Sequence, residues 1–382
     1  MFATGSSSQS VAIVGAGIIG LACALELADR GARVSLFEEK WPPHGASWAA
    51  AGMLAPAFEA AADPGTHPDL FRFCDASARL WQDWAARLEA RTGLSSGYVA
   101  GPSLAVAQSL AQATHLAEVQ AKLSDQSDAP EDCLDRLPTV EPAIGGTIHA
   151  ALLLPSDGQA DNRQTVAALI AALSEHPNVE IHQAIAPLKL RAGRLELAEH
   201  DAVLIAAGWR SGEVLIESGG RHLRLGDLDP SFAPLYHYGG QMLSLAPVSD
   251  GPRLTIRCGD LYIVPKTDRI IVGATTEPGR ALSVPDPDVI ESLRQRAIAI
   301  CPALRDAAKI ESWAGIRPGT DDHAPLLGRA QLPGLFVATG HYRNGILLAP
   351  LTAQIMANLI LDGEIDEIGR AFSPQRSLVE QF

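Results

Sequence analysis

Two arginines, a tyrosine and a set of glycines carry the chemical signal in this sequence. Arg317 and Arg343 stand in the segments IRPG and YRNG, each close behind an apolar run and beside glycine. A planar guanidinium suits two-point capture of a carboxylate. Most arginines are instead exposed surface or domain-bridging cations, but the charge-poor, glycine-rich surroundings of these two favour the first role. Tyr262, in LYIVP, reads either as a half-buried strand tyrosine or as a hydroxyl aimed at a bound molecule. Near the other end of the chain, Gly15, Gly17 and Gly20 follow the apolar run 11–14 in G-x-G-x-x-G spacing. The first glycine permits the tight turn, the second lets backbone approach a pyrophosphate, and the third lets a helix pack closely on its strand. That helix offers its N-terminus, at Ile18 and Ile19, to the phosphates. Glu38 lies 23 residues beyond Gly15, near the roughly 20 expected of an acid that binds a ribose hydroxyl. Glu39 follows it and would repel a 2'-phosphate, which disfavours NADP.

Two further stretches belong with these. The segment GASWAAAGMLAP over 45–56 is rich in small residues and poor in charge. Its backbone either lies flat against a large planar group or forms a tightly packed loop-to-helix junction. The sequence GHYRNG over 340–345 precedes a helix read over 348–361, with Pro350 in its first turn, where proline is tolerated. Free amides and a helix N-terminus at one spot suit an anion, including a reduced flavin ring. Asp321, Asp322 and His323 read as a solvated turn and not as metal ligands, because three adjacent residues cannot all face one ion. His44 and His341 read as ordinary loop histidines. The chain shows no G-x-S-x-G elbow and no G-K-[ST] phosphate loop.

The elements that must position these residues alternate in type. Strand, helix and strand fill 11–38; a long helix is expected over 68–91, a strand over 99–107, an exposed helix over 109–123, and then a strand at 148–154 and a helix at 163–173 that return to the first domain. A strand at 179–185, a hairpin at 188–197 and a buried strand at 201–211 extend it. From 223 to 274 short alternating runs with Gly and Pro punctuation indicate an antiparallel sheet, closed by a helix over 287–300. The reading is an α/β protein: a Rossmann-like nucleotide domain over 1–88, 142–222 and 312–382, interleaved with an α+β substrate domain over 89–141 and 223–311. At 382 residues, 47% hydrophobic and 19% charged, the chain can bury a sizeable core. Its net charge, 30 basic minus 44 acidic residues or -14, and its lack of a basic cluster exclude a nucleic-acid partner. Five scattered cysteines read as reduced thiols of a cytosolic protein. The segment 1–10 reads as a flexible leader, and the apolar run 345–361, broken by Pro350, Gln354 and Asn358, reads as a buried helix and not a membrane span.

Taken together, the glycine stretch, GASWAAAGMLAP, LYIVPKTDRIIVGAT, WAGIRPGTDDHAPLLG and GHYRNGILLAPLTAQI resemble the bacterial glycine oxidases of thiamine biosynthesis, in the D-amino-acid oxidase superfamily. The resemblance runs almost end to end and is densest in the last 130 or so residues. It implies non-covalent FAD; no cysteine lies in IRPGTDDHAPLLG, where sarcosine oxidases attach flavin covalently. It also implies oxidative deamination of glycine, sarcosine and small D-amino acids, with the α-carbon hydride passing to flavin N5, molecular oxygen as acceptor, and a 2-oxo acid, ammonia and hydrogen peroxide as products. On this resemblance Arg343 grips the substrate carboxylate, Arg317 lines the pocket and Tyr262 hydrogen-bonds the same carboxylate. Ala46, Ser47, Ala51, Gly52, Met53 and Pro187 join Gly15, Gly17, Ile18, Ile19, Gly20, Glu38 and Glu39 around the cofactor, with His341, Tyr342, Asn344, Gly345, Ile346 and Leu347 on its pyrimidine edge. No membrane partner is implied, and a homo-oligomer is compatible. Asp260 and Gly239 depart from the family pattern. The competing readings are a D-amino-acid or proline dehydrogenase with another electron acceptor, and a non-catalytic FAD-binding subunit.

Overall fold

The computed structural model describes residues 9–61, 65–197, 200–232 and 235–376. Of the leader expected over 1–10, residues 1–8 lie outside the described residues, and Ser10 already begins the first strand. A six-stranded sheet runs in the order Leu326–Arg329, Leu335–Thr339, Ala202–Ile205, Ser10–Val14, Arg33–Phe37, Val179–His182. All neighbours are parallel except the first pair. Helices pack on one face and a small sheet with its loops on the other, which is why its central strands read as apolar runs. The chain leaves Ser10–Val14 at the point where strand order reverses, the crevice in which open α/β sheets take ligands.

Close backbone contact shapes that crevice. Gly15 has φ +108, and a Cβ there would lie 2.6 Å from the Ala206 carbonyl oxygen; one on Gly20 would lie 1.9 Å from the Gly15 oxygen. Only glycine lets the turn, the helix Ile18–Asp29 and the neighbouring strand approach so closely. The helix is less amphipathic than the spacing of Ile18, Leu21, Leu25 and Ala28 implies. Ten of its twelve residues are buried, because the helices Asn162–Ser174 and Gly345–Ala357 both pack on it.

A nine-stranded sheet forms the second body. Its order is Glu277–Pro278, Tyr236–Leu245, Ile270–Gly273, Leu261–Pro265, Ile256–Cys258, Ser103–Ala107, Ala150–Leu154, Glu131–Asp132, and Lys309–Gly319 pairs along the length of Tyr236–Leu245. The pairings are antiparallel, as expected, except that Ile256–Cys258 runs parallel to Ser103–Ala107. Two assignments need correction. The strand near 148–154 does not return to the nucleotide sheet; Ala150–Leu154 pairs antiparallel with Ser103–Ala107. Likewise Lys309–Gly319 belongs wholly to this second sheet and crosses the boundary expected at 312. Ala150–Leu154 is wholly apolar and Lys309–Gly319 is mixed, and in neither case does local pattern reveal which sheet a strand joins. The hairpin Lys189–Arg191 with Arg194–Glu196 builds a separate four-stranded sheet with Leu215–Ser218 and Arg221–Arg224.

The helix expected over 348–361 starts three residues earlier. Gly345–Ala357 is α-helical, Pro350 lies inside it, and Asn358–Asp362 continues as a π turn. The proline is accommodated in a helix that is buried along most of its length and held from outside: Ser77 Oγ and Trp81 Nε1, on the helix Leu70–Thr92, both donate to the Leu347 carbonyl at 2.7 and 2.9 Å. Among the described residues Gly345–Asp362 is the one helical stretch long and apolar enough to cross a membrane, and 72% of it is buried inside the protein. All five cysteines are buried and unpaired.

The contact at Gly20 yields a direct test. Gly20→Ala should lower unfolding free energy by about 1–3 kcal/mol or more, the cost of overpacking, read from the denaturant midpoint. An unchanged midpoint would show that turn and helix do not meet this closely in solution.

Candidate functional site

The pleat of the nine-stranded sheet assembles one wall. Trp313, Met242, Gly273, Tyr262, Arg257 and Ala105 are successive cross-strand partners, so they share a face. Arg317 lies four residues beyond Trp313 on the same strand, and period two keeps it on that face. Glycines clear the space above the wall. A Cβ on Gly240 would lie 2.5 Å from Arg317 Nη1, and one on Gly273 would lie 2.6 Å from the Tyr262 ring. Tyr262 therefore leans across Gly273 until its hydroxyl lies 3.2 Å from Met242 Sδ, and burial raises its pKa, against the pull of Arg317. Arg317 donates to the carbonyls of Thr275 at 3.2 Å and Gly239 at 3.5 Å. It has no carboxylate partner among the described residues.

The opposite wall comes from two turns. The 3-10 helix Pro56–Ala61 brings Phe58 and Glu59, and the loop before Gly345–Ala357 brings Arg343. Arg343 Nε donates to Glu59 Oε1 at 2.8 Å, with the Glu59 side chain only 3% exposed. Burial opposes the charge on Arg343, and the Glu59 carboxylate outweighs it, holding the guanidinium above its ordinary range. The two arginines thus differ in their partners: Arg343 is bonded to Glu59, whereas Arg317, beside Tyr262, has carbonyl acceptors and no carboxylate among the described residues. Between the walls lies Arg257, its guanidinium 3.9 Å over the Phe58 ring. Burial and the neighbouring Arg343 push its pKa down to about 10. Asp157 receives the Ala57 amide at 3.2 Å on Oδ1, while its buried Oδ2 has no partner among the described residues, and burial raises its pKa to about 7.

Several of the residues expected at a cofactor meet around the glycine turn. The helix Ile18–Asp29 has no side-chain cap and no acid in its first turn. The Ile18 amide donates to Ser47 Oγ at 2.9 Å, and the Ile19 and Gly20 amides have no acceptor among the described residues. A dinucleotide pyrophosphate fits such an end. Glu38 accepts from the Ala16 amide at 3.0 Å, which ties the acid to the glycine turn; Glu39 is exposed. Pro187 is exposed in the connection after Val179–His182, a strand whose last carbonyl accepts the Glu38 amide.

The small-residue stretch realises the packed-junction alternative and still borders the pocket. Ala46–Ala49 is a single helical turn. Asn162 Nδ2 donates to the Ser47 and Trp48 carbonyls, and Trp313 Nε1 to that of Ala49. A Cβ on Gly52 would lie 2.0 Å from the Ala160 oxygen. Ala49 and Ala51 pack with Met242 and Trp313, with Met53 and Tyr262 against the same cluster.

At the far end, Asn344 caps the helix through its backbone while its buried Nδ2 lacks a partner among the described residues. The Gly345, Ile346 and Leu347 amides have no acceptor among the described residues. These orphaned donors fit the electron-rich edge of a flavin. Tyr342, at φ +49, gives its amide to the Pro318 carbonyl at 2.7 Å and its ring to Tyr238 and His323, each 4.8 Å away. Tyr238 is the cross-strand partner of Arg317, so this contact brings the loop beside that arginine. His341 is buried with Nε2 3.1 Å from Thr352 Oγ1, and burial lowers its pKa to about 3.

Other expectations end elsewhere. Asp260 is exposed and paired with Arg296, outside the pocket. Asp322 holds Arg376 and accepts from Thr320. Sequence reasoning passed over Glu59, Arg257, Asp157 and Lys266. Lys266 Nζ donates to Gln159 Oε1 and the Ala160 carbonyl at 2.8 Å, and burial lowers its pKa to about 7. A usable signal existed for two of them: Glu59 is a lone acid in apolar AFEA, and Arg257 interrupts an apolar strand.

Two tests follow from these geometries. His341 is neutral when folded, so the unfolded chain takes up its proton first. Stability from this group is present above the unfolded value of 6.5 and is lost as pH falls toward 3. His341→Gln should flatten that acid limb in denaturant titrations. Glu59→Gln should cost about 1–3 kcal/mol of stability, between the figures for exposed and buried pairs because Arg343 is partly exposed; no change would mean that the pair is loose in solution.

Comparison with known proteins agrees with this geometry. Residues 10–359 match the family described as FAD dependent oxidoreductase, DAO. The chain is 35% identical to the bifunctional protein ThiO/ThiG of Synechocystis over 97% of its own length and 54% of that protein, so it spans about half of such relatives. It is 32% identical to the glycine oxidase of Geobacillus kaustophilus over 92% of both chains. The crystal structure of glycine oxidase from that organism superposes with a TM-score of 0.84, covering 97% of this chain and 99% of that one at 30% identity. The chain belongs to the D-amino-acid-oxidase family of FAD-dependent oxidoreductases.

Proposed function

We propose that this protein oxidises the amine of glycine and of similarly small amino acids, sarcosine and small D-amino acids included, with non-covalently bound FAD. The observation that carries the reading is Arg317: a guanidinium with no carboxylate partner among the described residues, beside the Tyr262 hydroxyl, on a wall against which Met53 packs. Bound FAD would supply the two-electron acceptor for the α-carbon hydride. The protein's part is orientation. Arg317 pairs with the substrate carboxylate in two-point fashion, Tyr262 donates its hydroxyl to the same group, and the free Nη atoms of Arg343 extend the grip, which aims the α-carbon at the cofactor. The same positive charges disfavour the substrate ammonium and so favour the neutral amine, from which hydride departs. His341 faces Thr352 and Glu59 faces Arg343, so neither is poised as a base; proton abstraction from carbon is not what this pocket is built for. Met242, Trp313 and the alanines of 46–51 exclude water.

Molecular oxygen is the proposed acceptor, with peroxide as its product. The likeness to ThiO/ThiG proteins supports a role in supplying glycine imine for the thiazole of thiamine. Met53, Ser47, Glu38 and Asn344 are the proposed cofactor contacts, with the other glycine-turn and loop residues named above.

Purified protein should be yellow, and glycine should bleach it without oxygen. Flavin that stays oxidised with glycine, sarcosine and D-alanine would sink the assignment, and peroxide formation in air separates an oxidase from a dehydrogenase. Arg317→Ala should weaken substrate binding by about 2–5 kcal/mol, seen as a rise in the glycine concentration needed for half-maximal bleaching.

A further inference from the structure

We propose that Arg257 forms a second anion subsite that selects substrates carrying a second acidic group. This rests on the amine-oxidase reading above. Tyr262 and Arg257 are direct cross-strand partners, so the two side chains rise from the same face with Cβ atoms about 5 Å apart. They then diverge. Tyr262 leans over Gly273 toward Met242 and Arg317, while the Arg257 guanidinium lies over Phe58. The wall thus presents one cation, Arg317, at one end and another, Arg257, towards the other.

The charges around Arg257 leave it short of a partner. It makes no hydrogen bond among the described residues, and the groups that act on it are Arg343, Glu59, Asp157 and Tyr262. Glu59 is bonded to Arg343. The Tyr262 hydroxyl is uncharged at neutral pH, because burial raises its pKa further. Asp157 is only partly ionised there, and its bonded oxygen is taken by the Ala57 amide. Arg257 therefore has no carboxylate of its own among the described residues: Glu59 is bonded to Arg343, and Asp157 acts on it without a hydrogen bond. A substrate with one carboxylate satisfies Arg317 and leaves Arg257 stacked but unpaired in a half-buried pocket, which is costly. A second carboxylate at the end of the substrate's N- or α-substituent removes that deficit. Charged-group recognition of this kind discriminates strongly against an isosteric neutral group.

The test compares each acid with its own amide in anaerobic flavin reduction and in kcat/KM: D-glutamate against D-glutamine, and iminodiacetate against its monoamide. The acid should be preferred by tenfold or more in at least one pair. Arg257→Gln should bring that ratio close to one, and Arg257→Lys should restore part of it. A ratio of one or less for both pairs, in protein that glycine does reduce, overturns the subsite and leaves the oxidase reading intact. A flavin that glycine itself cannot reduce removes both. Should Arg257→Gln fail to fold, the wild-type ratios decide the matter alone.

Discussion

Burying positive charge beside an apolar wall is unfavourable unless something offsets it, and the pocket is organised by how this is met at three guanidiniums. Arg343 is held by Glu59. Arg257 is stacked on Phe58 and answered in part by Asp157. Arg317 rests on two carbonyls. The unequal compensation gives the pocket its direction: the least neutralised cation stands next to the tyrosine hydroxyl.

Such a wall functions only if the facing elements are held at a fixed distance, and two devices ensure this. One is the glycine contact of Gly15, Gly20 and Ala206, which seats the first helix against the sheet. The other is the pair of bonds from Ser77 and Trp81 to the Leu347 carbonyl, which fix the start of the helix Gly345–Ala357. That helix packs on the first one, so the two helix starts share a single buried core although more than 300 residues separate them in the chain.

Much of this was legible in local pattern. The glycine spacing, the apolar run before it and the acid after it identify a nucleotide-binding turn because each has a steric or electrostatic reason to stand at that spacing. The helix Pro287–Ile300 was readable residue for residue, since Asp286 caps it and Pro287 opens it. Pro350 looks like a start signal, yet the helix begins five residues before it, at Gly345, in a segment buried along most of its length. The strand Ala150–Leu154 was assigned to the wrong sheet for a related reason: an apolar strand carries no label for its partner.

By itself, then, the sequence determined the residue types that a carboxylate and a dinucleotide require, the periodicities of the elements that carry them, and the family resemblance that joins them. The tertiary structure decided which arginine is free. That depends on Glu59, a lone acid 284 positions from Arg343, and on a cross-strand register that sets Arg257 beside Tyr262. Charge compensation inside a protein is a matter of distances between remote segments, and those distances exist only once the sheets have paired and the core has closed.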